Sequence, residues 1–249
     1  MTESETFIVI GAGQAGGRAV EAMRACGFTG RILLLGAESH LPYERPPLSK
    51  KLLTGEVGQQ TTYLHDQAFY DDQGIELRLG TNAVAIDRKA WTLELSSGET
   101  LHYDKLLLTT GARVRRLSIP GATLPGVHYL RNMDDCLAIR ERLSENARLV
   151  VIGGGFIGLE AAAAARARGC AVTILEAASL VLNRVAAPEI GRFYEQLHRA
   201  NGVDIRTRVK VLEFTGDGRI EAAVCEGGVT CPADFVIVGV GVEIGRAHV

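Results

Sequence analysis

The run Phe7-Ile8-Val9-Ile10-Gly11-Ala12-Gly13-Gln14-Ala15-Gly16-Gly17 decides how this chain is read. A short, mostly β-branched apolar run suits a strand buried on both faces. The glycines that follow at once suit a tight turn into a helix. Helical spacing then continues through Ala19, Val20, Ala22, Met23 and Cys26, and Gly27 is placed to cap the helix. A second apolar strand, Ile32-Leu33-Leu34-Leu35, ends at Gly36-Ala37-Glu38.

The same order returns further along. Leu149-Val150-Val151-Ile152 leads into Gly153-Gly154-Gly155-Phe156-Ile157-Gly158, then an Ala-rich helix through Arg168, with Gly169 behind it. Ala171-Val172-Thr173-Ile174-Leu175 closes on Glu176. Each copy is followed by short strand-like runs between turns, such as Trp91–Leu95 with Leu101, and Val211–Phe214 with Ile220. Each copy also ends in an apolar strand that runs into glycine, at Leu106–Gly111 and Phe235–Gly239. This repetition predicts two domains of related fold rather than a solenoid. Strand and helix alternation predicts a mainly parallel sheet covered by helices, with right-handed crossovers. The join is expected near Arg113–Val127, where Pro120, Gly121, Pro125 and Gly126 break all periodicity.

In G-x-G-x-x-G the first glycine permits the tight turn, the second lets a pyrophosphate approach the backbone, and the third permits close helix–strand packing. The helix N-terminus then offers free N–H groups and partial positive charge to the diphosphate. An acid closing the next strand can accept from the ribose hydroxyls. Glu38 lies 22 residues past Gly16 and Glu176 lies 18 past Gly158, near the roughly 20 expected. One such motif is weak evidence, because glycine turns before helices are common. Two, each after a buried strand and each with its acid, predict two bound dinucleotides, and a flavin with a nicotinamide is the useful pairing. A carboxylate at position 176 would repel a 2′-phosphate, and Ala177-Ala178 supply no cation to compensate, so NADH is expected over NADPH.

Composition narrows the field further. The 249 residues carry 27 basic and 29 acidic side chains, a net charge of −2 that gives no reason to expect nucleic acid as partner. With 47% apolar and 22% charged residues, ordinary globular packing is expected. No stretch approaches the roughly 18 uninterrupted apolar residues of a membrane helix, and the acidic N-terminus lacks the features of a secretory signal. The expected location is cytoplasmic. Five scattered cysteines form no Cys-x-x-Cys pair, six histidines are equally dispersed, and no metal site is expected.

At Pro42-Tyr43-Glu44-Arg45-Pro46-Pro47-Leu48-Ser49-Lys50, with Gly153–Glu160 and the stretch Arg184–Ile205, the sequence resembles the NADH-dependent ferredoxin reductases of bacterial oxygenase systems. These belong to the flavoprotein disulfide reductase superfamily, and the similarity covers residues 6–242. The resemblance implies an α/β fold of two related Rossmann-like, doubly wound domains, the FAD domain incomplete. Residues 1–112 would form most of an FAD domain and 113–242 an NADH domain. It implies that Gly11, Gly13, Ala15 and Gly16 line the FAD pyrophosphate and that Glu38 bonds its ribose. Relatives carry two adjacent acids where this chain has Ala37-Glu38, which leaves the bonding position open by one residue.

Arg45, Lys50, Val84, Thr110, Gly111 and Arg131 match further FAD contacts. Gly153, Gly155, Phe156, Ile157, Gly158, Glu160 and Glu176 would serve NADH. Blander readings stand beside these: Arg45 as a solvated loop charge, Val84 as a plain strand residue, Arg131 as a helix-flanking cation. Glu160, taken to lie on the first turn of its helix, could simply suit the helix dipole. The functional reading pairs Glu160 with Lys50 beside the flavin, where the lysine could offset charge on the reduced ring. The implied activity moves electrons from NADH through FAD to a [2Fe–2S] ferredoxin, or a rubredoxin, that feeds an oxygenase.

Disulfide reductases of the superfamily carry paired cysteines, and NADH oxidases a single one, where this chain reads Pro46-Pro47-Leu48-Ser49-Lys50. Arg113, Arg115 and Arg116 could dock an acidic ferredoxin or form a solvated linker face. A third expectation is a truncated fragment that binds dinucleotide without catalysis. Relatives continue with a Gly-Asp motif and a C-terminal domain, whereas here the chain ends Glu243-Ile244-Gly245-Arg246-Ala247-His248-Val249. That ending matches a translated sequencing adapter and is expected to be a non-native tail.

Overall fold

Ile8 and Ile10 leave β1 (Thr6–Ile10) on one face of a parallel sheet and Val9 on the other, as the two-residue period of a strand requires. The computed structural model describes residues 5–244. Packing divides them into two units: residues 5–45, Gln59–Ala112 and Ile244 form the first, Pro46–Gly58 and Arg113–Glu243 the second.

In the first unit β1 pairs in parallel with β2 (Arg31–Leu35) and β7 (Lys105–Leu108), and β2 with β3 (Ile75–Arg78), giving the order β3-β2-β1-β7. On one face Val9, Ile32 and Leu34 pack with Val20 of α1 (Gln14–Ala25) and Tyr70 of α3 (Gln67–Asp72). The other face is covered by a second sheet. There Ile8, Ile10, Leu33 and Leu35 meet Leu93, Leu95 and Leu101 from an antiparallel sheet of β4 (Ala83–Asp87), β5 (Thr92–Leu95) and β6 (Thr100–His102). The short strand-like runs that follow the first glycine turn in the sequence thus fold into a sheet that buries the second face. Each fully buried Leu or Ile stabilises the sandwich by roughly 1.5–3 kcal/mol.

The second unit repeats the plan. Its parallel sheet comprises β9 (Val127–Tyr129), β10 (Arg148–Ile152), β11 (Ala171–Glu176), β12 (Asp204–Thr207) and β16 (Phe235–Val238), in the order β12-β11-β10-β16-β9. Buried Ala161, Ala162, Ala164 and Ala165 let α5 (Phe156–Ala167) lie close to β10 and β11. Phe214, Ala223 and Cys231 cover the opposite face from the antiparallel β13 (Val211–Thr215), β14 (Ala222–Cys225) and β15 (Thr230–Pro232). A capping box on Asn132 and Asp135 starts α4 (Met133–Arg140), and Pro188 opens α6 (Pro188–Ala200).

The two sheets differ at one edge. Among the described residues β16 is flanked by β9, whereas β7 pairs with β1 alone and leaves Leu107 and Leu108 over one-third exposed. The short segment Pro46–Gly58, though early in the chain, packs with the second unit, where α2 (Lys51–Thr54) meets α4 and α5. β8 (Ala112–Val114) pairs with β17 (Val242–Ile244), and Glu243 takes the Arg113 guanidinium at 3.0 Å. The remainder of the expected tail, 245–249, lies outside the described residues. Among the described residues no helix is long and apolar enough to cross a membrane. All five cysteines are unpaired.

Candidate functional site

Both glycine turns are built alike. Gly11 and Gly153 adopt φ of 111° and 99°, and a Cβ on either would fall 2.3 Å from Thr109 O or 2.6 Å from Gly239 O. A Cβ on Gly16 would lie 2.0 Å from Gly11 O, and one on Gly158 would lie 2.2 Å from Gly153 O. Contact with the strand-to-helix turn therefore forces glycine at these positions. The middle glycines differ. A Cβ on Gly155 would meet nothing within 4 Å, and one on Gly13 only the tip of Arg45 at 3.9 Å. Gly13 and Gly155 are the N-caps of α1 and α5 and supply no side-chain cap. With no side chain capping either start, the first N–H groups of both helices are left for another acceptor, an arrangement suited to an anion.

The acids after each second strand are held differently. Glu176, at the end of β11, accepts from Gly154 N at 2.6 Å and from Ala178 N at 2.7 Å. Glu38 instead accepts from the Tyr43 hydroxyl at 2.5 Å and Arg45 Nη2 at 2.8 Å, and the Arg45 guanidinium lies over the Tyr43 ring at 5.3 Å. Arg45 is therefore not a solvated loop charge. It is paired with the acid of its own turn.

Lys50 and Glu160 meet in the second unit. Lys50 Nζ lies 2.9 Å from Glu160 Oε2 and 3.3 Å from Pro46 O. The same carboxylate oxygen accepts from Ser49 Oγ at 2.5 Å. Ser49 is buried in the turn Pro46–Ser49, whereas Lys50 is half exposed. A partly exposed ion pair of this kind contributes at most about 1 kcal/mol to stability, so its value is positional. Gly155 caps α5, which makes Glu160 the fifth residue of the helix; the expectation of a first-turn carboxylate is corrected, and the dipole account of Glu160 weakens with it.

A cavity of about 590 Å³ opens in the second unit beside Gly153–Gly155. Glu176 is its one acid among the described lining residues, and Arg115, Arg116, Arg184 and Lys210 also line it. Ala177-Ala178 supply no cation, as the sequence reads, and the cations of the cavity come from elsewhere in the chain. Arg184 comes from a loop six residues beyond Ala178, and Lys210 enters because Val209 N donates to Glu176 O at 3.0 Å.

The remaining expected positions are scattered. Val84 is 58% exposed on β4, and Thr110 and Gly111 are exposed just after β7. The residue that grips the first turn is the neighbouring Thr109, whose Oγ1 donates to Gly11 O at 2.8 Å. Arg131 sits just before α4, its N–H donating to Asp135 Oδ2 at 2.9 Å. Ala15 lies in the first turn of α1, while Phe156 and Ile157 are substantially exposed at the start of α5. Thr109, Ser49 and Arg184 went unassigned in the sequence. Thr109 and Ser49 each adjoin an assigned residue, which was the available signal.

Cys225 and Cys231 are buried in the core of the second unit, Arg206 Nη1 donates to Cys231 Sγ at 3.2 Å, and burial pushes the Cys225 thiol up to about 11.

The family profile of the pyridine nucleotide-disulphide oxidoreductases matches residues 5–248. The ferredoxin–NAD(+) reductase component of a p-cumate 2,3-dioxygenase system from Pseudomonas putida is 43% identical over 236 residues, covering 95% of this chain and 58% of that protein. Putidaredoxin reductase from Pseudomonas putida is 41% identical over 97% of this chain and 58% of its own length. The crystal structure of the covalent putidaredoxin reductase–putidaredoxin complex superposes with a TM-score of 0.93 at 41% identity, over 96% of this chain and 58% of that one. The chain thus spans under two thirds of the length of these relatives. Doubled parallel sheets, doubled glycine turns and a profile match across nearly every residue agree, and the chain belongs to the pyridine nucleotide-disulphide oxidoreductase family.

Proposed function

We propose that this chain carries the FAD- and NADH-binding parts of a reductase that passes electrons from NADH to a [2Fe–2S] ferredoxin, or a rubredoxin, serving an oxygenase. The observation that carries the reading is the doubled cradle: two uncapped helix N-termini behind open glycines, each with a fastened acid at the end of the next strand. The names of the relatives, ferredoxin–NAD(+) and rubredoxin–NAD(+) reductases among them, support the acceptor class.

The residues present fit both groups. Gly11, Gly13, Ala15 and Gly16 would hold the FAD pyrophosphate, Glu38 with Arg45 its ribose end, and Val84, Thr110, Gly111, Arg131 and Lys50 further parts of it. Gly153, Gly155, Phe156, Ile157, Gly158 and Glu176 would hold NADH. By the resemblance residues 1–112 would serve FAD and 113–242 NADH, while the segment Pro46–Gly58, which carries Lys50, packs with the second unit. Bound FAD would supply the conversion between two-electron and one-electron transfer. Lys50 is the cation assigned to offset negative charge at the redox end, and Glu160, held by Ser49, keeps its ammonium in place. The unpaired thiols suit a reducing compartment, and we place the protein in the cytoplasm.

The deciding experiment supplies FAD to the purified chain and adds NADH without oxygen. The expected result is yellow protein that NADH bleaches and that reduces cytochrome c only with added ferredoxin or rubredoxin. A second reading, a chain that binds NADH without retaining flavin, is favoured by the bare β7 edge of the first unit. Colourless protein that still binds NADH would select it.

A further inference from the structure

We propose that α6 is a pairing surface for a second copy of this chain, the two helices lying antiparallel about a two-fold axis beside Phe193.

The rotation of α6 is fixed by small and polar residues rather than by its large apolar ones. A Cβ on Gly191 would lie 2.6 Å from both Leu180 Cδ2 and Val181 O, so the helix backbone touches the preceding loop there. Glu195 Oε1 accepts from Val181 N at 3.2 Å, and the buried His198 stacks with Tyr194. Gly191, Tyr194, Glu195 and His198 recur at the three- and four-residue steps of one helix face. That face is spent on the second unit.

The large apolar residues are left on another face. Ile190, Phe193 and Leu197 also follow at steps of three and four, and they are 46%, 58% and 46% exposed. A surface helix ordinarily turns such a stripe toward its own core. Here the contacts at Gly191, Glu195 and His198 forbid that rotation and leave the stripe to water in an isolated copy. A contiguous exposed apolar stripe marks a place of association.

The stripe is complementary to itself. Phe193 stands three residues after Ile190 and four before Leu197, close to midway. Two copies laid antiparallel therefore bring Phe193 onto the partner's Phe193, and Ile190 onto the partner's Leu197. The polar border agrees. Glu189 and Gln196 are exposed along one side of the stripe. The same alignment sets the Glu189 carboxylate within about 3 Å, along the axis, of the partner's Gln196 amide, a match of acceptor and donor. Parallel helices would instead oppose Glu189 to the partner's Glu189 and place like ends of the two helix dipoles together.

Size sets the strength. The 13 residues of α6 make a helix about 20 Å long. One such face buries less than the roughly 800 Å² per partner of a standard interface, so the dimer is concentration-dependent, with Kd on the order of 10–100 µM. A two-fold pair closes at two copies, unlike open-ended addition at a sheet edge.

Sedimentation velocity of the whole chain, from about 1 to 500 µM, reads the pairing. Wild type is expected to shift from monomer to dimer across this range. Phe193→Glu places a charge at the centre of the contact, and is expected to weaken dimerisation by about tenfold or more while melting like wild type. Leu107→Lys, in the first unit, is expected to leave the dimer unchanged. Cross-linking reads the register. In a Cys26→Ser background, Phe193→Cys is expected to form a disulfide dimer under oxidised glutathione. Ile190→Cys and Leu197→Cys are expected to cross-link when mixed and not alone, since like positions stand about 10 Å apart along the axis, beyond disulfide reach. Wild type that stays monomeric throughout leaves the stripe to some other occupant and overturns the proposal. A dimer that survives Phe193→Glu, a dimer lost in Leu107→Lys, or mixed cysteine variants that fail to cross-link overturns it equally.

Discussion

Ser49 and Lys50, neighbours in the chain, share one acceptor: Glu160 Oε2 takes the hydroxyl at 2.5 Å and the ammonium at 2.9 Å. The buried serine fixes the carboxylate, and the carboxylate fixes the half-exposed lysine. Ser49→Ala is expected to slow flavin reduction by NADH several-fold while leaving NADH affinity nearly intact. Lys50→Ala and Glu160→Ala are expected to cost about tenfold or more. Stopped-flow reduction of the FAD-loaded protein, beside an NADH titration, separates the two quantities. Recovery of rate in Ser49→Thr would mark the hydroxyl as the cause, and equal rates in all variants would remove the pair from the reaction.

The three glycines of the second turn separate fold from binding. Gly158→Ala drives a methyl to 2.2 Å from Gly153 O and is expected to cost about 1–3 kcal/mol of stability. Gly155→Ala meets no atom within 4 Å, and its φ of −78° is open to any residue. It should melt like wild type and yet lose NADH binding, because its methyl would stand in front of the free N–H groups. Thermal melts paired with NADH titrations of both variants provide the check. Normal binding in Gly155→Ala would show that nothing approaches the backbone there.

Acid is expected to weaken the second unit before its carboxylates titrate. Burial lowers the pKa of His128, with the Arg142 charge adding to it, and burial also lowers that of His198. The unfolded imidazole takes its proton near pH 6.5, whereas the folded one resists it. Stability from this source is complete above that pH and is lost as pH falls through the depressed folded values. Denaturant midpoints should therefore drop between about pH 7 and pH 5, and His128→Gln combined with His198→Gln should flatten that slope. A wild-type midpoint constant across this range would contradict the assignment.

Thiol reactivity should follow exposure. Cys26 is exposed, while Cys136, Cys170, Cys225 and Cys231 are buried, and burial pushes the thiols of Cys136 and Cys225 up to about 11. Iodoacetamide on folded protein is expected to label Cys26 first and the others only on unfolding. Peptide mass spectrometry reads the order directly.

The glycine turns and their acids were legible because backbone geometry allows almost nothing else at Gly11, Gly16, Gly153 and Gly158. The Lys50–Glu160 pair was reached only through family resemblance, since 110 residues separate its members. Ser49 escaped because its role depends on a turn that packs with the second unit, a choice made by long-range contacts. Arg184 escaped for a related reason: the hydrogen bond from Leu182 N to Gly154 O sets its position, and no local pattern announces it. Glu38 was readable as an acid after a strand, but its fastening to Tyr43 and Arg45 was not.

The lone pairing of β7 has a practical outcome for anyone handling this protein. A parallel strand with one free side, carrying exposed Leu107 and Leu108, is a template onto which a second molecule can add its own strand. Self-association in concentrated stocks is therefore expected to begin there, and a lysine at position 107 should raise the concentration at which light scattering first appears while leaving NADH binding untouched.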